Sequence, residues 1–245
     1  MNFLPIRPMI RLFEKFFRRA SRWSRYTESI SWSTPLIEIP APQDRRNALV
    51  ANALSIVDVE AGDPERRPVF EELLGPVQGR WDLGRPYKYV NLGDGKFRTE
   101  GISTCGLVGE GLQRRVGLDL ASLYAPFVPG QAVSRMVGFA TVCKAWRAPG
   151  PDRRPRPGDY LVVGSGLATH VRTVIGWEGD TCISVDGGQV DAQHGFLQCI
   201  RKARNEWAKI GGVWRERNKP VVGWADVDAL KYREGSILVP EGWPE

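Results

Sequence analysis

Cys105 combines a nucleophilic side chain with a position at the start of a helix. It follows Ser103 and Thr104, two residue types that favour helix N-caps, and it precedes the Gly-interrupted segment GLVGEGLQRR. A thiol at the first residue of a helix lies at the positive end of the helix dipole, which favours the thiolate over the thiol. The thiolate is the form that attacks a carbonyl carbon. The sequence therefore predicts a cysteine nucleophile at residue 105.

Two later residues could complete the chemistry of that thiol. His170 opens the strand-like segment HVRTVIGW, and Asp186 closes the next one, CISVD, after a short turn at EGD. Two antiparallel strands of this length place both residues at the same end of a sheet. Asp186 would then hold one imidazole nitrogen while the other faces Cys105, so that His170 acts as the base. The VDGGQ segment equally fits a turn in which Asp186 bonds its own backbone, and Gln189 is then the reserve orienting residue.

The segments around these residues predict helices first and antiparallel strands afterwards. Residues 9–26 have apolar side chains at helical spacing and many arginines, and residues 33–46 are Pro-rich and extended. Helices are expected over 45–62 and 68–75, Gly turns separate three apolar β-rich runs after residue 159, and a hairpin turns at 216–219. This order indicates an α+β fold.

The same pattern divides the chain into three parts. Residues 1–45 form a basic amphipathic helix and a Pro-rich arm, residues 46–80 a helical lead-in, and residues 81–245 the domain that carries the candidate site. The helix at 9–26 could dock on a delivery apparatus, a particle or an anionic membrane, or it could pack on its own domain.

Composition narrows the class of protein. The chain has 245 residues, 42% hydrophobic and 25% charged, which is ordinary for a globular protein with a full core. Its net charge of +6 favours acidic partners. Four cysteines without a CxxC pair and only two histidines argue against a structural zinc site, and no cofactor is expected.

The N-terminus predicts neither a membrane span nor a secretory signal. No apolar run reaches membrane-spanning length, and prolines and charges interrupt the first 23 residues where a signal peptide would be apolar. We expect synthesis in the cytoplasm and, for a target in the cell wall or periplasm, delivery by a non-classical route or in a particle.

Two stretches carry a family resemblance. The first is GRPYKYVNLGDGKFRTEGISTCGLVGEGLQRRVG (84–117), and the second is RPRPGDYLVVGSGLATHVRTVIG (154–176). The first resembles the segment around the nucleophile in the NlpC-like cell-wall peptidases. The second resembles a block that those peptidases share with the CHAP amidases. The resemblance covers residues 84–190 and implies a papain-like core, in which a cysteine-headed helix packs on an antiparallel sheet.

The resemblance also implies roles for individual residues. Cys105 would be the nucleophile, His170 the base and Asp186 the residue that orients the base. Tyr87 corresponds to a tyrosine that lies close to the thiol and shapes the oxyanion pocket, with the backbone N–H of Cys105 as the main donor. Thr104 stands where the family usually has an acidic residue.

Other cysteine and tryptophan residues have competing interpretations. His194 could pair with Cys182 or Cys199, although neither cysteine begins a helix, and Cys143 lies on an apolar helical face typical of a core. Most tryptophans of the C-terminal part favour a core, while Trp214 and Trp224 could line a substrate groove.

Three functions are compatible with these patterns. The first is a cysteine hydrolase that cuts an amide bond in peptidoglycan or another peptide substrate, with no specific nucleic acid expected as a partner. The second is a transglutaminase-like or deamidase-like toxin that acts on protein and uses the same Cys, His and Asp. The third is a structural component of a phage-like particle or complex with an inert site.

Overall fold

The structure is a computed structural model that describes most of the chain from residue 36 onward. The described residues are 36–40, 45–60, 63–74, 88–93, 96–100, 104–118, 132–150, 152–165, 169–189, 198–233 and 236–241. The predicted amphipathic helix at 9–26, Tyr87 and His194 lie outside these ranges.

The described ranges contain four short α-helices. They are α1 (Arg45–Ser55), α2 (Arg67–Leu74), α3 (Cys105–Arg115) and α4 (Ala132–Val142). The predictions of helices over 45–62 and 68–75, and of a helix that begins at Cys105, are confirmed, with the first ending earlier than expected. No helix in the described ranges has both the length and the apolar character needed to cross a membrane.

Besides one 3₁₀-helix (Val227–Ala229), eleven strands make up the rest of the regular structure in the described ranges. They are β1 (Leu36–Pro40), β2 (Lys88–Gly93), β3 (Lys96–Glu100), β4 (Trp146–Arg147), β5 (Tyr160–Val163), β6 (His170–Glu178), β7 (Thr181–Gln189), β8 (Cys199–Ile210), β9 (Val213–Glu216), β10 (Lys219–Ala225) and β11 (Ser236–Pro240). The predicted hairpin is confirmed, since β9 and β10 pair on either side of residues 217 and 218. The Pro-rich arm contributes β1, which pairs with β11.

Six of the strands close into an antiparallel barrel. Their order is β10-β5-β6-β7-β8-β9, and β9 pairs back onto β10. Register shifts interrupt the β5–β10, β6–β7 and β7–β8 pairings. Such bulges bend strands and increase their twist, which helps a small sheet to close.

The expected papain-like α+β core is therefore wrong. The sheet does not form one layer under a helix, because it closes on itself and has an interior of its own. Strand β5 is buried on both faces, so its apolar run predicts a buried strand without telling which strand lies beside it. Closure depends on the long-range pairing of β10 with β5, which no local pattern encodes.

Apolar side chains occupy part of the barrel interior and also cover part of its outer wall. The interior cluster consists of Leu161, Val163, Val174, Cys182, Trp207, Val221 and Trp224. Alternate residues of β5 point outward, where Tyr160 and Val162 join a cluster with residues of α3 and α4. Helices α1 and α2 pack with α3 in a further cluster. The helices thus form an outer layer around the β5–β7 side of the barrel.

Candidate functional site

Helix α3 begins at Cys105, as the sequence predicts, but the side chain of its N-cap residue does not cap the helix. Thr104 occupies the N-cap position, and its side chain makes no capping hydrogen bond. Its hydroxyl instead donates to Gln198 Oε1 at 2.8 Å, just before strand β8. Both Thr104 and Gln198 are buried. This bond therefore ties the start of the helix to the strand that follows the candidate site in sequence.

Two glycines allow α3 to lie directly against the barrel wall. A Cβ atom at Gly109 would stand 2.8 Å from Cε2 of Tyr160, and one at Gly187 of β7 would stand 2.6 Å from Cγ2 of Val108. Real Cβ atoms do not approach other heavy atoms so closely. The absence of side chains at these two positions therefore sets the distance between the helix and strands β5 to β7.

The contacts along α3 also determine which end of the barrel Cys105 occupies. Near the C-terminal end of the helix, Gln113 Nε2 donates to the carbonyl of Gly158 at 3.3 Å. One turn earlier, Gly109 lies against Tyr160 and Val171. The helix therefore runs antiparallel to β5, and Cys105, one further turn back, shares a cluster with Val162 and Val171. Cys105 thus lies at the end of the barrel where β6 begins with His170.

His170 is held by two side chains of the neighbouring strand. Its Nε2 atom lies 3.3 Å from Asp186 Oδ2 and 3.1 Å from Gln189 Nε2. The hydrogen bonds that the His170 ring makes to Asp186 and Gln189 both use Nε2, so Nδ1 is the ring nitrogen that would take up the proton of a thiol. When Nε2 carries the proton, the ring donates a hydrogen bond from Nε2 to Asp186. Rotation of the Gln189 amide by half a turn would present its oxygen to Nε2 as a second acceptor.

A bulge in β7 brings both of these side chains to the imidazole. Asp186 and Gln189 are three residues apart, so regular alternation would place them on opposite faces of the strand. The β7–β8 register shifts between these two residues. The structure therefore brings together His170, Asp186 and the reserve residue Gln189, and Asp186 does not form the local turn that was the alternative.

Asp186 has two further partners that the sequence analysis missed. Ser184 Oγ donates to its Oδ1 at 2.7 Å, and Arg172 donates to its Oδ2, the same oxygen that faces His170. Arg172 also donates to Glu216 Oε1 on β9. Arg172 and Ser184 each lie two residues from a predicted site residue and share its strand face, so the period-2 rule could have found them. Glu216 comes from a distant strand and carries no such signal.

The thiol of Cys105 and the ring of His170 approach from different sides of the barrel wall. Cys105 is 5% exposed and packs with Val162 and Val171 on the outer face. His170 pairs in register with Val163 of the interior cluster. The side chains of Cys105 and His170 therefore start on opposite sides of the first residues of β6. Catalysis requires the imidazole to face the thiol around this strand end.

Tyr160 is a buried neighbour of the candidate nucleophile. Burial raises the pKa of its phenol well above the ordinary value, and the nearby Cys105 and Glu110 raise it further. Tyr160 therefore remains a neutral phenol throughout the physiological pH range.

The remaining cysteines of the chain lie in core environments. Burial, together with the nearby carboxylate of Glu216, raises the pKa of Cys182 in the barrel interior to about 12. Cys199 is buried, and its Sγ donates to the carbonyl of Gln189 at 3.1 Å. Cys143 is half-buried beside the outer cluster. A thiol with a pKa near 12 is protonated at neutral pH, so Cys182 is a poor nucleophile.

The two tryptophans proposed as groove residues lie in or beside the barrel interior. Trp224 is buried there, and Trp214 packs against the same cluster while its Nε1 donates to the carbonyl of Gly150 at 2.8 Å. Within the described part of the chain, no group of three or more His, Cys, Asp or Glu side chains could hold a metal ion.

Comparison with known proteins returns no relative. No family model matches the chain, no curated protein matches it, and no solved structure matches its fold. The function of this chain therefore has to be inferred from the geometry of the site.

Proposed function

We propose that the protein is a cysteine-dependent amide hydrolase with peptidoglycan as its substrate class. The observation that carries this proposal is the position of α3, whose first residue, Cys105, lies at the barrel end where Asp186 and Gln189 hold His170. A nucleophile, a base and an orienting acceptor at one site are the parts that acyl transfer requires.

The reaction follows from these three side chains. His170 takes the thiol proton, and the Cys105 sulfur bonds to the carbonyl carbon of the substrate. The backbone N–H of Cys105, at the start of α3, donates to the developing oxyanion. His170 then gives the proton to the leaving amine as the C–N bond breaks, which leaves a thioester. Water, deprotonated by His170, attacks the thioester, and the C–S bond breaks to release the acid and restore the thiol.

Asp186 supports each proton transfer by holding the imidazole through Nε2. An acceptor there keeps the ring oriented and stabilises the imidazolium that forms beside the thiolate. Peptidoglycan as the substrate class is supported by two sequence features. The segments around Cys105 and His170 resemble those of cell-wall peptidases, and the net charge of +6 suits an anionic wall.

Digestion of purified peptidoglycan tests the proposal. The intact protein is incubated with the polymer beside Cys105→Ala and a matched control, Cys143→Ala, and the soluble products are analysed by mass spectrometry. We expect fragments from the wild type and from Cys143→Ala, and none from Cys105→Ala, because Cys105 is the proposed nucleophile and Cys143 lies away from His170. The fragment masses identify the bond that is cut.

Two other outcomes contradict parts of the proposal. Fragments from Cys105→Ala would exclude this residue as the nucleophile. An absence of fragments with every variant, together with alkylation of Cys105 much faster than that of a free cysteine at neutral pH, would exclude the wall as substrate and redirect the search to proteins. An absence of fragments together with an ordinary thiol would refute the hydrolase itself.

A further inference from the structure

The barrel interior contains a chain of charged side chains that ends at His170. Glu216 Oε1 accepts a hydrogen bond from Arg172, Arg172 donates to Asp186 Oδ2, and that oxygen lies 3.3 Å from His170 Nε2. Arg172, Asp186 and Glu216 are each less than 10% exposed. Charges in such a place interact strongly, because little water screens them.

Arg172 and His170 compete for one carboxylate oxygen. An aspartate stabilises a protonated imidazole most strongly when no other cation lies beside the aspartate. Here the guanidinium of Arg172 donates to the same Oδ2 atom, which reduces what the carboxylate offers to the ring. Glu216 acts in the opposite direction, because its negative charge offsets that of Arg172.

Other ionisable groups lie around this chain of charges. The nearby ones are Cys182 on β7, Cys199 and Arg201 on β8, and Arg217 after β9. Cys105 on α3 lies on the outer face of the barrel wall, beside the start of β6. Arg201 stands opposite Asp186 in the β7–β8 register, but its guanidinium bonds Asp58 at 2.8 Å and Glu60 at 2.7 Å. Burial lowers the pKa of Arg172, although Glu216 works to raise it.

We propose that Arg172 and Glu216 are positioning residues that set how strongly Asp186 holds the protonated ring of His170. Arg172 weakens that hold and Glu216 restores part of it. The functional meaning of this control depends on the proposed hydrolase, in which the charge of the ring decides the pH range of activity. The electrostatic effect itself does not require a substrate.

Titration of the His170 ring by proton NMR tests the inference on the full chain. The protein has two histidines, and loss of a signal in His170→Gln assigns the one of interest. In Arg172→Gln, no guanidinium competes with His170 for the Asp186 carboxylate, which then stabilises the protonated ring more strongly. We therefore expect the titration midpoint to rise by roughly one pH unit. In Glu216→Gln, Arg172 keeps its acceptor while the offsetting charge is lost, so the midpoint is expected to fall by a smaller amount.

Two control variants separate charge from structure. Arg172→Lys keeps the positive charge, so its midpoint is expected to lie closer to that of the wild type than to that of Arg172→Gln. Arg201→Gln makes the same change of charge opposite Asp186, where Asp58 and Glu60 already neutralise the arginine. We expect its midpoint to move much less than that of Arg172→Gln.

The opposite directions are the decisive feature. Folded Arg172→Gln and Glu216→Gln proteins whose midpoints match the wild type, or move in the same direction, would overturn the inference. If Arg172→Gln does not fold, Glu216→Gln decides alone, because its amide keeps the size and the acceptor of the glutamate. If the midpoints shift as expected but the protein has no hydrolase activity, the inference is supported and the proposed hydrolase is refuted. If the midpoints do not move but the protein is an active hydrolase, the inference is refuted and the proposed function is supported.

Discussion

At the scale of single residues, the structure separates the cysteines by environment. Cys105 begins a helix beside the buried phenol of Tyr160, whereas Cys182 lies in the barrel interior near Glu216. Burial and that carboxylate both disfavour a thiolate at Cys182, whose pKa is raised to about 12. Reactivity toward alkylating agents follows the thiolate fraction and exposure.

Native alkylation is therefore expected to spare Cys182. At pH 8 a thiol with a pKa of about 12 is ionised in only about one molecule in ten thousand. We expect peptide mapping after brief iodoacetamide treatment to find Cys105 modified and Cys182 intact, with Cys182 reacting only after unfolding in urea. Labelling of Cys182 in the folded protein at the rate of a free cysteine would contradict the burial that the structure describes.

At the scale of elements, the site depends on the close contact between α3 and the barrel. Gly109 and Gly187 occupy the two contact points, and any side chain there would meet Tyr160 or Val108 at less than 3 Å. The candidate nucleophile is the first residue of this helix, so a displacement of the helix moves Cys105 relative to His170.

Alanine at either contact glycine is expected to impair both stability and activity. Overpacking of a well-packed contact costs about 1–3 kcal/mol, and a shift of about 1 Å at a catalytic group can cost about 100-fold in rate. Gly176 on β6 is the matched control, because a Cβ atom there meets nothing within 4 Å. We expect Gly109→Ala and Gly187→Ala to unfold at lower urea concentrations than the wild type and to digest peptidoglycan more slowly. Gly176→Ala is expected to be close to the wild type in both measurements. Equal behaviour of all three would contradict the importance of this contact.

At the scale of the whole molecule, Arg46 joins the helical layer to the barrel. From α1 it donates to Asp159 Oδ1 at 2.7 Å, just before β5, and to Asp226 Oδ1 at 3.0 Å, just after β10. Asp159 is fully buried and also accepts from the backbone N–H groups of Arg156 and Val227. The aspartate of the Pro-Gly-Asp segment therefore has a structural role here, at a site where three distant segments meet.

Loss of Arg46 is expected to destabilise the fold as a whole. Arg46→Ala removes the cation beside a buried carboxylate, which costs about 3–5 kcal/mol. Arg67→Ala on α2 is the control, because its exposed pair with Glu71 contributes only about 0.3–0.5 kcal/mol. Urea unfolding curves measure both variants. Similar midpoints for Arg46→Ala and the wild type would show that the helical layer docks without this arginine.

The sequence by itself determined the local elements and the candidate chemistry. The N-cap signal placed a helix start at Cys105, and turn residues delimited strands β5, β6, β7, β9 and β10. The spacing across the EGD turn also placed His170 beside Asp186, because a short turn between antiparallel strands leaves little freedom of register.

Only the tertiary structure decided how these elements combine. Closure of the sheet, the bulge that brings Gln189 to the imidazole, and the approach of Glu216 to Arg172 all join residues far apart along the chain or break the regular alternation of a strand. A local pattern reports which face of an element is apolar, but it does not report which partner covers that face. The papain-like core was wrong for this reason, since apolar residues on both faces of β5 fit a layered sheet and a closed barrel equally well.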